Sequence, residues 1–138
     1  LWILQNNKGI KMSKKSIEQK ISKAMNVLDL TFKDVIPSSY NGYISSFGAS
    51  IIQSGLEPTL ALFENENAST LEKKQLLPKL ILNILDENST ETSLLKYVLN
   101  RPNEKQYLKR EILDIAIAIK LCIRIFKLEK PNKGSQNE

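Results

Sequence analysis

The sequence predicts an all-α domain: a compact bundle of about five to six helices with a long, buried C-terminal helix. Three observations predict it. Apolar residues recur three and four positions apart along most of the chain. Glycine and proline number five each, too few for a turn-rich all-β domain. No segment shows the alternating pattern of a half-buried strand. At 138 residues, 41% apolar and 25% charged, the chain has the size and composition of one globular domain.

Ser13–Leu30 reads as the first helix. Ile17, Ile21, Ala24 and Leu28 form one stripe, and Ser16 with Gln19 is a capping-box pattern, so the start falls at Ser13 or Ser16. Residues 1–12 are expected to be leader or appended sequence without order, because Met12-Ser13-Lys14-Lys15 looks like a natural start. Ser38–Gln53 reads as the second helix, closed by Ser54-Gly55. Pro58 sits where an N1 proline belongs and opens a short helix, Pro58–Glu64. Ser69–Glu72 is a capping box for a helix Leu71–Leu85, which Pro78 should kink or break. Asn88–Glu91 is a further start signal, for a helix ending before Pro102.

The last helix, about Glu104–Lys130, is the clearest. Leu108, Ile112, Ile115, Ile119, Cys122 and Phe126 are spaced 4, 3, 4, 3, 4, and further apolar residues widen this surface nearly all round. A β-strand over Ile115–Ile125 is disfavoured by its length and by Lys120 and Arg124 at helical spacing. Residues 13–130 form the single expected domain, and the polar residues 131–138 are expected to be a disordered tail.

Composition narrows the chemistry. There is no histidine, the commonest general base and metal ligand, and one cysteine, so no intrachain disulfide and no cysteine-based zinc site. No P-loop, dinucleotide fingerprint or nucleophile elbow is present. We therefore expect no catalytic residue, metal or cofactor. Cys122 lies in the apolar seam and reads as core. Glu111 and Asp114 are an i, i+3 carboxylate pair that a metal nuclease could recruit, but a surface ion pair of Glu111 with Lys109 or Arg110 is the simpler reading. Without an apolar run of ~20 residues there is no expected membrane partner, and the free cysteine points to the cytoplasm.

Charge is unevenly placed within a net +5. Residues 1–33 carry seven lysines against two acids, 34–95 three lysines against eight acids, and 96–138 ten cations against five acids. Basic ends favour a polyanion as partner. On the last helix, Lys120, Arg124 and Lys127 fall within about 60° of one another, and Lys109 joins them three turns earlier. This stripe, roughly 27 Å long, could track phosphates, or could simply keep an apolar helix soluble. Lys20 and Lys23, with Lys14 and Lys15, could extend the basic surface without sharing one face. Tyr40, Tyr43 and Phe47 could stack bases, but aromatics at this spacing read more readily as core.

Ser54-Gly55-Leu56 followed by Thr59-Leu60-Ala61-Leu62-Phe63 resembles the Asn-Gly-Leu … Thr-Leu-Ala-Phe-Tyr segment of the small subunit of the Cmr-type (type III-B) CRISPR effector complex. Glu111-Ile112-Leu113 … Ile119-Lys120 is similar to that family's closing helix. Ser54 replaces the asparagine of the turn, Ala118 a tryptophan and Leu121 an arginine. The resemblance spans Ser13 to about Leu128. It implies a non-catalytic helical subunit of an RNA-guided antiviral complex. Its implied partners are other subunits, copies of itself, the guide RNA and the target RNA. Of the basic residues, Lys120 alone is carried over by the resemblance; Lys109, Arg124 and Lys127 come from the stripe. The alternatives are a Csm-type small subunit or another helical nucleic-acid-binding protein, and, outside that class, a carboxylate-dependent metal nuclease that Glu111→Gln would inactivate.

Overall fold

The computed structural model describes residues 2–33, 35–65 and 74–129, with side chains from residue 14 to residue 126 within those ranges. The expected tail 131–138 and the capping box Ser69–Glu72 lie outside the described residues. Six helices follow in order: α1 Trp2–Phe32, α2 Ser39–Ser54, α3 Leu56–Phe63, α4 Leu76–Leu85, α5 Leu94–Leu99 and α6 Lys105–Glu129. A single 3-10 turn, Pro102–Glu104, leads into α6. Among the described residues there is no strand.

Helix α6 is the axis on which α1, α2 and α4 pack. All six residues of its predicted seam are at most 5% exposed. Burying six such side chains supplies about 1.5–3 kcal/mol each. The apolar surface does not run nearly all round, however: Ile117 is 44% and Leu121 36% exposed. The predicted aromatics are core. Tyr40 and Phe47 are buried, with Tyr40 edge-on to Phe32 at 5.1 Å and to Tyr43 at 5.4 Å. Neither buried ring can stack a base.

The element boundaries carry most of the corrections. Helix α1 begins at Trp2, well before Ser13, so residues 2–12 continue the helix. It ends in Lys33, whose φ of 62° is the left-handed conformation that glycine usually supplies at a helix C-terminus. Between α2 and α3, Gly55 also has a positive φ, but with ψ 165°, an extended conformation that essentially only glycine adopts. With φ 99° its N–H closes α2 on the Ile51 carbonyl at 2.9 Å, and its own carbonyl accepts the Thr59 hydroxyl at 2.8 Å. Helix α3 therefore starts at Leu56, and Pro58 is its third residue rather than its first. Likewise α4 starts at Leu76, so Pro78 lies in its first turn and neither kinks nor breaks it. In a first turn the missing N–H would have had no intrahelical partner.

The start of α5 also moves, from Asn88–Glu91 to Ser93, whose hydroxyl accepts the Lys96 N–H at 3.2 Å. The residues that resemble a cap instead satisfy their own loop. The Asp86 carboxylate accepts the Asn88 N–H at 3.2 Å, and the Ser89 hydroxyl accepts the Glu91 N–H at 3.1 Å. Glu64, at the end of α3, reaches across to α5. Its carboxylate accepts the Ser93 hydroxyl at 2.6 Å and the Leu95 N–H at 3.1 Å. The start of α6 is tied to α3 by Lys105, 2.6 Å from Glu57; that bond holds the Glu57 carboxyl below its usual range.

Candidate nucleic-acid interface

The predicted cations divide into two groups on opposite sides of α6. With about 100° between successive residues, Lys109, Lys120 and Arg124 project within one arc of about 60°. Glu111 projects from the opposite side, about 180° from Lys120. Lys20 of α1 is bound to that opposite side, its Nζ 3.0 Å from Glu111 Oε1. The same ammonium donates to Ser16 Oγ at 2.7 Å. The side chains of Lys20 and Glu111 are only 14% and 18% exposed. Lys20 is thus a structural cation joining α1 to α6. Lys23, one turn along α1, is exposed, as are Lys14 and Lys15.

This pair also corrects the expected surface ion pair of Glu111 with Lys109 or Arg110. Adjacent helix positions do not face each other, whereas α1 brings Lys20 directly onto Glu111. Asp114 is buried, 5% exposed, and its Oδ2 has no hydrogen-bond partner among the described residues. Among the described residues no three His, Cys, Asp or Glu side chains gather as a metal site requires.

On the α6 stripe, Arg124 is exposed, while Lys109 and Lys120 are half-buried at the edge of the solvent face. None of the three forms an ion pair among the described residues. Lys127 lies in α6, but its side chain falls outside the described residues. The centre of the solvent face is different: Arg110, Ile117, Leu121 and Arg124 are its exposed residues. Arg110 belongs to this exposed face as well as standing beside Glu111 in the sequence. The buried seam already located it, since Arg110 projects opposite that seam. Cys122 is fully buried, its Sγ 3.5 Å from the Ile21 carbonyl, and burial pushes its thiol up to about 11. No helix among the described residues is long and apolar enough to cross a membrane.

These features define an all-helical protein built around one buried helix, with unpaired cations along that helix's margin. The family model described as CRISPR-associated protein (Cas_Cmr5) matches residues 12–123, and the chain belongs to that family. It is a Cmr-type (type III-B) CRISPR-associated small subunit and acts within the Cmr effector complex. Nothing among curated proteins and nothing among solved structures matches the chain. The matched span contains Lys109 and Lys120 and ends just before Arg124.

Proposed function

We propose that the chain is a non-catalytic packing and RNA-holding subunit of its complex, working in the cytoplasm in antiviral defence. It packs against other subunits and copies of itself. Lys109, Lys120, Arg124 and Lys127 hold the guide or target RNA by its phosphates. The observation that carries this reading is the row of cations from the margin of α6 to its solvent face, with no ion pair at Lys109, Lys120 or Arg124 among the described residues, in a member of a CRISPR-associated family. Cations already neutralised within the fold, like Lys20, have less to offer a phosphate.

The test is the triple substitution Lys120→Gln, Arg124→Gln and Lys127→Gln, which keeps helix propensity and aliphatic stems. The assembled complex should bind target RNA more weakly. Its salt slope should flatten by up to ~2, from roughly 0.7 counterions for each phosphate of a single strand that is no longer neutralised. Normal assembly with unchanged affinity and slope would show that these side chains only solubilise the helix.

A further inference from the structure

The solvent face of α6 carries a second stripe, of which the buried core uses only Leu113, and that in part. Arg110, Leu113, Ile117, Leu121 and Arg124 follow at spacings 3, 4, 4, 3. This is the spacing with which one helix packs on another. Its middle is apolar: Ile117 is 44% exposed, Leu121 36%, and Leu113 half-buried. Its two ends are arginines about 21 Å apart along the axis, neither in an ion pair among the described residues.

From this we infer that the stripe is a docking seam for a helix of another protein subunit. That helix would be apolar at its centre and acidic at both ends, spaced to meet Arg110 and Arg124. The inference rests on the reading of the chain as a packing subunit and names the surface it packs with. Two features favour a protein over RNA. A nucleic-acid strand carries charge at every nucleotide, whereas the exposed middle of this face, Ile117 and Leu121, is apolar and the cation within that span, Lys120, lies at its edge. The exposed isoleucine and leucine gain from burial against apolar side chains, and arginines at the rim select partner and register through opposite charge. The cations of the margin, Lys109 and Lys120, stay free for phosphates. Arg124 lies where the two surfaces meet, at one end of the seam and in the arc of the phosphate-holding cations.

The experiment uses the complete complex, purified with every subunit present and with a photo-crosslinking residue at position 117. The expected product is a covalent link to a peptide of a different subunit, with acidic residues flanking an apolar helical stripe. A link to RNA, a link to another copy of this chain, or no link would overturn the inference. As an independent measure, Ile117→Ser with Leu121→Ser should lower incorporation into the complex at least tenfold at unchanged melting temperature. Arg110→Glu with Arg124→Glu should do the same, and the Arg→Lys pair should largely retain incorporation. Parent-like incorporation of the Ser pair and the Glu pair would refute the seam while leaving the RNA-holding reading intact. Failure of the parent chain itself to enter the complex would refute both.

Discussion

Lys20→Gln separates a structural cation from an RNA-binding one. In the parent, the Lys20 ammonium lies 3.0 Å from Glu111 and 2.7 Å from Ser16, with both charged side chains more than four-fifths buried. Removing the cation strands the Glu111 carboxylate between α1 and α6. Breaking a fully buried pair costs about 3–5 kcal/mol; the residual exposure here and the amide's own hydrogen bonding reduce that to about 2 kcal/mol. For a domain of this length, one kcal/mol moves the midpoint by about 3–5 °C, so the melting temperature should fall by about 6–10 °C. Circular dichroism at neutral pH measures this. A companion variant, Lys20→Met with Glu111→Leu, removes both charges and should recover most of the stability, giving a coupling of about 1–2 kcal/mol. The salt slope of RNA binding by the assembled complex should not change. A Lys20→Gln chain that melts within 1 °C of its parent and flattens the slope by ~0.7 would refute the reasoning and return Lys20 to the RNA surface.

Three further outcomes are expected. Ile119→Asp, at a position 1% exposed, should cost more than about 3 kcal/mol in chemical denaturation; a cost below ~1 kcal/mol would show that α6 is not the buried axis. Thr59→Val removes a buried hydroxyl that donates to the Gly55 carbonyl and shares a hydrogen bond with Ser50, at a cost of about 1–2 kcal/mol. Combined with Ser50→Ala it should cost less than the two single changes added, and strict additivity would deny the pair. Cys122 should resist thiol reagents at pH 8 until the protein unfolds, because burial raises its folded value to about 11, above the unfolded one. The stability gained from keeping the thiol protonated is complete below the unfolded value and is lost as pH rises through the folded one. Rapid labelling of the native chain would contradict the burial.

Most of α6 was legible because its signal is local and repeated. Six residues at 4, 3, 4, 3, 4 spacing admit one buried face, and that face is the one observed. The short helices were harder, because Ser, Asn and Asp cap loops as readily as helices. At Asp86–Glu91 the hydroxyl and carboxylate close turns, and the cap that starts α5 is Ser93, a few residues later. Prolines marked beginnings inexactly for a related reason: the whole first turn tolerates a missing N–H, so Pro58 and Pro78 each fit at the third position. The cations show the same limit at longer range. Angular position on α6 places Lys109, Lys120 and Arg124 within one arc, since one helix determines it. The fate of Lys20 depended on which face of α6 would meet α1, and no spacing within either helix encodes that meeting.

The bridge from Glu64 to the start of α5 bears on the order in which the chain folds. Helix α5 has six residues, well short of the ~12–15 that hold together alone in water. Two of the groups at its start, the Ser93 hydroxyl and the Leu95 N–H, are satisfied by a carboxylate contributed by α3. Until α3 is seated, that carboxylate has no fixed place and the six residues bear the nucleation cost unaided. We therefore expect helix α5 to form after the barrier, on a platform already built. Replacing Glu64 with glutamine should accelerate unfolding and leave the folding rate nearly untouched, the kinetic signature of an interaction made late.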